Sequence, residues 1–151
     1  MIRVTLDTNV LDPPRLQQML EAAAGLPAEF SMVTVSTREI EGASIQPLPN
    51  AILETGVWDE SRHGEFIWGG QVAETAVVGE SRVGECVVGG SNSAARFEGI
   101  LLIVSNGAFP SVGARNNLRP GERRQMRDAM ILEAHARGGR DVLVTNEVRA
   151  Y

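Results

Sequence analysis

The sequence predicts a single α/β domain with a central parallel sheet, and two features of the chain support this fold class. Short runs of β-branched and other apolar residues alternate with longer segments in which apolar residues recur at helical spacing. This alternation is typical of parallel sheets, because a parallel strand can follow its neighbour only through a crossover connection. The length of 151 residues fits one domain with a sizeable core.

The first part of the chain is predicted to alternate between strand and helix. Residues 2–6 are a short β-prone run that ends at Asp7. Two prolines open a helix over residues 13–23, since proline is tolerated in the first helical turn. A second apolar run at 30–35 is predicted as a strand, and residues 36–39 follow it with the capping-box pattern of a helix start.

The middle of the chain contains an internal repeat. Residues 54–70 and 74–90 share ten of seventeen positions, and each copy has two β-prone runs around Glu-Ser-Arg-x-Gly. This pattern is consistent with hairpins, and two copies are too few for a solenoid. We therefore predict one domain over residues 1–151 that carries an antiparallel β meander, inserted at about 54–90.

The last part is predicted to contain two helices and a strand. The helices cover residues 93–105 and 120–137, and a pair of glycines stops the second. The strand covers residues 141–145. A doubly wound domain often continues with another element here, so either the fold ends on an interior strand or the chain is truncated at Tyr151.

Composition excludes several classes of protein. All 14 basic residues are arginine, which excludes a Walker-type phosphate loop and lysine Schiff-base chemistry. The single Cys86 excludes a disulfide framework and a cysteine-rich zinc site. No apolar run approaches the ~20 residues that span a bilayer, and no secretory signal is recognisable. We expect a cytoplasmic protein without a membrane segment. The net charge of −5 disfavours nucleic-acid binding by overall charge but permits a local basic patch.

Four acidic residues form the candidate site. Three of them follow strands of the predicted sheet and one lies in the long helix: Asp7, Glu39, Glu147 and Asp128. Ligands bind at the carboxyl ends of parallel strands, so these side chains are expected at one edge. Clustered carboxylates repel one another without a cation, and Mg²⁺ or Mn²⁺ prefers carboxylate oxygens. Two such ions would make a site that cleaves phosphodiesters.

Four stretches around these acids resemble the PIN-domain nucleases, whose best-known bacterial members are the toxin ribonucleases of toxin–antitoxin pairs. The stretches, in the family's order, are Val4-Thr5-Leu6-Asp7-Thr8-Asn9-Val10-Leu11, Val35-Ser36-Thr37-Arg38-Glu39-Ile40, Asp128-Ala129-Met130-Ile131-Leu132-Glu133-Ala134 and Asp141-Val142-Leu143-Val144-Thr145-Asn146-Glu147. The resemblance covers about residues 1–42 and 118–151. It implies a three-layer PIN-like fold, an acidic cluster that binds Mg²⁺ or Mn²⁺, and RNA cleavage that leaves a 3′-hydroxyl and a 5′-phosphate.

The resemblance also implies roles for individual residues. The catalytic metal ligands would be Asp7, Glu39, Asp128 and Glu147, with Thr145 as a supporting polar group. Glu147 departs from the pattern, since the family more often has aspartate there and a longer side chain would shift the metal geometry. The repeat also departs from it, since the family usually has helices in the middle of the chain.

A cluster of arginines lies just before Asp128, and its functional interpretation is a set of phosphate contacts that feed RNA into the site. Its members are Arg115, Arg119, Arg123, Arg124 and Arg127. The candidate substrate contacts are Asn9, Thr145, Arg123, Arg124 and Arg127. The alternative interpretation of the cluster is an ordinary charged helix face.

Each acid also has a purely structural interpretation. Asp7 fits a turn after a strand, and Glu39 fits a capping-box glutamate, with Glu41 then as the fallback ligand. Asp128 fits an ion pair one helical turn after Arg124, and Glu147 fits a solvated loop acid. His135, on the helix face of Asp128, is interpreted as a packed or capping histidine rather than a general base.

The leading hypothesis is a metal-dependent ribonuclease with RNA as substrate and a homo-oligomer as its expected state. The resemblance also suggests the toxin of a toxin–antitoxin pair, with an antitoxin protein as partner, but the sequence leaves open whether an antitoxin exists. The first alternative is a PIN-like binding or assembly module, weakly catalytic or inactive, that uses the repeat for partner contacts. A phosphatase of the haloacid dehalogenase type is a third class. It is disfavoured because Asn9 occupies the place of its second aspartate and because lysine is missing.

Overall fold

A computed structural model describes residues 1–36, 39, 71–72, 87–88 and 91–146. Five strands and three helices, with two 3₁₀ turns, have bounds in this part of the chain. They are β1 (Ile2–Leu6), a first 3₁₀ turn (Thr8–Val10), α1 (Pro13–Ala22), β2 (Ala28–Met32), β3 (Gln71–Val72), β4 (Val87–Val88), α2 (Ser91–Val104), a second 3₁₀ turn (Val112–Asn117), α3 (Pro120–Arg137) and β5 (Val142–Val144). No helix within these residues combines the length and apolar character needed to cross a membrane.

Three strands form a parallel sheet with β1 at its centre. The order is β2-β1-β5, and both neighbours run parallel to β1. Leu6, the last residue of β1, is aligned with Met32 on one side and Val144 on the other. The carboxyl ends of all three strands therefore meet at one edge, and the predicted α/β class with a parallel sheet is confirmed at this level.

The alternation of side chains along β1 places helices on the two faces of the sheet. Val4 and Leu6 are buried in a cluster with Leu16 of α1. Thr5 lies between these two residues in the sequence and is also fully buried, but its side chain points to the other face of the sheet. There its hydroxyl lies 3.0 Å from Nδ1 of His135 on α3. This arrangement follows from the period of two in a strand, which sends neighbouring side chains to opposite faces.

The second core lies between α2 and α3. Phe97 and Leu101 of α2 are buried against Met126 and Met130 of α3, and Leu143 of β5 packs against this cluster. The apolar residues of both helices recur at helical spacing, so each helix presents one apolar stripe. Burial of these stripes joins the two helices to the face of the sheet that carries Thr5.

At the amino edge of the sheet, polar contacts fix the strands to one another. Asp141 accepts a hydrogen bond from the backbone N–H of Arg3 at 2.7 Å. Arg140 is nearly buried and donates to the carbonyl of Val4 at 3.1 Å and to the hydroxyl of Ser31 at 3.0 Å. Asp141 therefore has a structural role at the amino ends of the strands, opposite the end at which Asp7 lies.

The predicted boundaries are close to those of the structure except at the second strand. The helix predicted over 120–137 has these bounds. The second strand, predicted over 30–35, runs from Ala28 to Met32, and helical backbone is already present at Val35. The strand begins early because Ile2 and Arg3 of β1 supply backbone partners for residues that are not themselves strongly β-prone.

The repeat region differs from the prediction where it can be compared. Gln71 pairs with Val87 and Val72 with Val88, and this pairing is parallel, whereas a meander would pair antiparallel. A parallel pair needs a crossover of about a dozen residues or more, and the chain between β3 and β4 is long enough to provide one. The remainder of the predicted insertion at 54–90 lies outside the described residues.

Candidate functional site

Asp7 lies at the carboxyl end of the central strand, and both of its carboxylate oxygens are held. Oδ1 accepts the backbone N–H of Thr8 at 2.7 Å, which caps the first 3₁₀ turn. Oδ2 accepts the hydroxyl of Thr145, just after β5, also at 2.7 Å. The backbone N–H of Asp7 donates to the carbonyl of Val144 at 3.0 Å. The ladder between β1 and β5 thus positions this carboxylate.

Thr8 brings Glu39 to the same edge. The Thr8 hydroxyl lies within hydrogen-bonding distance of a carboxylate oxygen of Glu39 and 2.9 Å from the hydroxyl of Ser36. A hydroxyl has one proton and an ionised carboxylate can only accept. Thr8 therefore donates to Glu39 and accepts from Ser36. Asp7 and Glu39 are bound to the backbone and the side chain of a single residue.

The surroundings of Glu39 disfavour its charged form. Burial raises the pKa of Glu39 above its usual 4.5, the hydrogen bond from Thr8 opposes this effect, and the negative charge of Asp7 raises the pKa further. The positive charges of Arg127 and Arg124 lower it, but the net direction is upward. A raised carboxylate pKa near another acid is a common property of functional sites. A bound cation would favour the charged form of both carboxylates.

The raised pKa of Glu39 predicts how stability depends on pH. Between 4.5 and the higher pKa of the folded state, the folded protein binds more protons than the unfolded chain, so stability falls as pH rises through this window. The Glu39→Gln variant lacks this titrating carboxylate, so its free energy of unfolding should decrease less than that of the wild type from pH 4.5 towards neutral. Urea unfolding at several pH values, without divalent cations, measures the difference. Parallel curves for the two proteins would contradict it.

Asn9 joins the first 3₁₀ turn to the end of β5. Its Oδ1 accepts the backbone N–H of Asn146 at 2.8 Å, and its Nδ2 donates to the hydroxyl of Thr145 at 3.1 Å. Because Thr145 in turn donates to Asp7, Asn9 orients the carboxylate through an intervening hydroxyl. The roles of Asn9 and Thr145 in substrate binding stay predictions. The contacts in the structure give both residues a positioning role.

Asp128 is half-buried on α3. It directly follows Arg127 and lies one turn after Arg124, the two arginines whose charges act on Glu39. Residues one turn apart share a face of a helix, so Asp128 lies on the same side of α3 as Arg124. The third candidate substrate contact, Arg123, is half-buried and donates to the carbonyl of Leu118 at 3.3 Å.

Arg115 does not have the predicted role of a phosphate contact. Its side chain is buried, and its two terminal nitrogens donate to the two carboxylate oxygens of Glu98 at 2.6 and 2.7 Å. Its Nε donates to the carbonyl of Pro110 at 3.0 Å, and its guanidinium lies 5.2 Å from the ring centre of Phe109. These contacts commit the side chain to the fold. The ion pair crosses seventeen positions of the sequence, so no local spacing could have indicated it.

His135 lies on the face of the sheet that carries Thr5 and contacts the hydroxyl of that residue. Burial lowers the pKa of His135 below its usual 6.5, the nearby Arg140 lowers it further, and Asp141 opposes both effects. Asp141 and Arg140 belong to the amino edge, so His135 is turned away from the carboxylate edge. This position fits the expected packing role.

The oxygen donors at this end of the sheet fit a hard divalent cation. Asp7 and Glu39 supply carboxylate oxygens and Thr8 adds a hydroxyl, the oxygen ligands that Mg²⁺ and Mn²⁺ prefer. Among the residues with defined positions, no three His, Cys, Asp or Glu side chains are close enough to share an ion. Glu147 lies outside the described residues. The four-acid metal site stays a prediction.

Sequence reasoning missed two residues of this cluster. The sequence pattern indicates Ser36 only as a helix cap, yet its hydroxyl contacts Thr8. Asn146 contributes a backbone N–H, which side-chain motifs do not reveal. The available signal was their position directly after the second and last predicted strands.

Comparisons of the chain with protein-family models, with curated proteins and with solved structures find no match. The PIN-like interpretation therefore rests on the four stretches named above and on the geometry at the carboxyl edge of the sheet.

Proposed function

We propose that the protein is a metal-dependent ribonuclease with a PIN-like domain. Mg²⁺ or Mn²⁺ would be held by Asp7, Glu39, Asp128 and Glu147. The observation that carries the proposal is the pair of carboxylates at the carboxyl edge of a parallel sheet, both bound to Thr8. Open α/β sheets bind their ligands at the carboxyl ends of the strands, which is where Asp7 lies. The raised pKa of Glu39 fits a site built for a cation.

When bound, the metal supplies Lewis acidity and lowers the pKa of water for attack on the phosphate. The chain's own residues hold the geometry. The N–H of Thr8 and the hydroxyl of Thr145 keep the Asp7 carboxylate in one orientation. A fixed carboxylate loses little freedom on binding a cation, so the preorganised site gains affinity.

Arginines on α3 are the proposed contacts for the phosphate backbone. Arg124 and Arg127 are close enough to Glu39 to lower its pKa, and arginine binds phosphate oxygens in a bidentate manner. The net charge of −5 means that any attraction of RNA depends on this local patch. An antitoxin partner, a homo-oligomeric state and a cytoplasmic location belong to the same proposal and rest on the resemblance and the composition.

Calorimetric titration with Mn²⁺ tests the metal site. The wild type should bind Mn²⁺, and Asp128→Asn should bind it at least about tenfold more weakly, since even residues that only orient metal ligands typically contribute that much. Asp12→Asn is the matched control, because Asp12 is an exposed aspartate that makes no capping hydrogen bond before α1. Equal affinities in all three proteins would remove Asp128 from the site.

The second candidate function is a PIN-like binding or assembly module with weak or lost catalysis. Two observations favour it: no three acids gather among the residues with defined positions, and a repeat occupies about 54–90. The same titration separates the candidates. A wild type that binds no Mn²⁺ in the millimolar range would favour the module over the enzyme.

A further inference from the structure

A cavity of about 350 Å³ lies between the end of α2 and the loop that leads into the second 3₁₀ turn. Its volume is in the range of small-molecule sites, about 300–1,000 Å³. The lining includes apolar side chains, one hydroxyl and one ion pair, among them Leu101, Leu102, Phe109, Val112, Ser111, Glu98 and Arg115. Neither the carboxylate site nor the resemblance uses this cavity.

The ion pair determines which polar groups the cavity accepts. Arg115 uses one N–H on each carboxylate oxygen of Glu98. A carboxylate has about four lone-pair positions, so both oxygens retain acceptor capacity. The pair is neutral as a whole, and a charged ligand group would enter without a partner at a considerable desolvation cost. The cavity is therefore suited to an uncharged group that donates N–H hydrogen bonds.

The apolar lining selects for a flat ring. Leu101 is buried at the cavity, Leu102 and Val112 are about half-exposed at its rim, and Phe109 carries the guanidinium of Arg115 over its ring. Planar heterocycles stack on such aromatic and apolar surfaces. A nucleobase with an exocyclic amine, as in cytosine, adenine or guanine, combines a flat ring with an N–H edge that a carboxylate can accept.

The cavity lies at the same end of the helix pair as the carboxylate site. Arg96, near the start of α2, contacts Glu133, near the end of α3, at 3.5 Å, so the two helices run antiparallel. The end of α2 therefore lies beside the start of α3. From the cavity the chain leads through Arg119 directly into the α3 turns that carry Arg124 and Arg127. The proposed phosphate contacts thus lie on the helix that starts beside the cavity.

We infer that this cavity, the base pocket, binds an unpaired nucleobase that carries an exocyclic amine. Glu98 accepts the amine, and the rim formed by Leu102 and Val112 encloses the ring. The inference rests on the proposed function for the presence of a nucleic-acid strand, and it adds a base preference that the carboxylate site alone does not supply. Uracil lacks the amine and offers only its N3–H, which is flanked by two carbonyl oxygens that the Glu98 carboxylate repels, so it binds more weakly.

Two neighbouring residues on α2 provide a matched test. Leu102 and Ile103 are 53% and 69% exposed, and only Leu102 lines the base pocket. The probe is a fluorescein-labelled six-nucleotide oligocytidine, with the matching oligouridine as comparison, and anisotropy is recorded with EDTA present. The wild type should bind oligocytidine more tightly than oligouridine. Leu102→Trp should weaken oligocytidine binding about tenfold, the scale of one stacked base, and Ile103→Trp should leave it unchanged.

Free cytidine 5′-monophosphate, added as competitor, separates the two sources of a base. If cytidine 5′-monophosphate displaces the oligonucleotide, the base pocket binds free nucleotides as well as bases within a strand. If it does not, the base pocket binds only bases within a strand. Equal binding by Leu102→Trp and Ile103→Trp would overturn the base pocket. A second result would also overturn it: Leu102→Trp abolishes the binding of N-acetyltryptophanamide but still binds the oligonucleotide. This result would assign the cavity to a protein side chain. The assay needs no divalent cation, so a failure of the proposed metal site would leave its result interpretable.

Discussion

Asparagine in place of Asp7 should abolish metal-dependent RNA cleavage while the protein stays folded. The amide has nearly the same volume as the carboxylate, and its oxygen can still accept the N–H of Thr8 that caps the 3₁₀ turn. It removes the negative charge at the centre of the proposed cation site. A bound metal contributes several kcal/mol to stabilisation of the transition state, so we expect the initial rate to fall more than about 100-fold. Cleavage of a labelled single-stranded RNA with Mn²⁺ measures this rate.

The control for this experiment is Asp12→Asn, which makes the same chemical change at an exposed position five residues later. It should cleave RNA at the wild-type rate. EDTA should abolish cleavage by both active proteins. A rate for Asp7→Asn equal to that of the wild type would sink the assignment of Asp7. Loss of activity in both variants would point instead to a general sensitivity of this part of the chain.

Local signals account for the elements that could be predicted from the sequence. The run that ends at Asp7 is short, β-prone and bounded by polar residues, and it is the central strand of the sheet. Pro120 and the glycines after Arg137 mark the two ends of α3, and both ends are where these residues indicated. Each signal lies within a few residues of the boundary that it predicts, so no tertiary information was needed.

Contacts between distant segments account for what the sequence did not indicate. The hydrogen bond between Thr8 and Glu39 joins the turn after β1 to the helical segment that follows β2. The pKa of Glu39 is raised mainly by burial, which no sequence spacing encodes. Arg115 belongs to a cluster of arginines in the sequence, yet the fold buries it against Glu98. Within one short segment, arginine is thus buried in an ion pair at position 115 and lies near Glu39 at positions 124 and 127. Only the three-dimensional arrangement separates the buried arginine from those near the carboxylates.

The geometry of the carboxylates depends on the packing of the central strand, and this dependence gives the second large effect. Leu6 precedes Asp7 and is fully buried among side chains of α1 and β2. Removal of a buried leucine side chain to alanine loses its transfer free energy and leaves a cavity, at a cost of about 2–5 kcal/mol. We expect Leu6→Ala to lower the free energy of unfolding by this amount, which is a large part of the stability of a typical domain, about 5–15 kcal/mol. Urea denaturation followed by circular dichroism measures the change.

Leu26→Ala is the matched control, because the same atoms are removed from a side chain that is 58% exposed. Its free energy of unfolding should stay within about 0.5 kcal/mol of the wild type, as is usual for surface positions. A comparison of Leu6→Ala with Asp7→Asn also separates an effect on stability from an effect on metal binding. Leu6→Ala retains every carboxylate, so at a low temperature where it is folded it should still bind Mn²⁺, whereas Asp7→Asn should be stable but bind the ion poorly. Equal destabilisation by Leu6→Ala and Leu26→Ala would mean that β1 is not packed as the core strand on which the position of Asp7 depends.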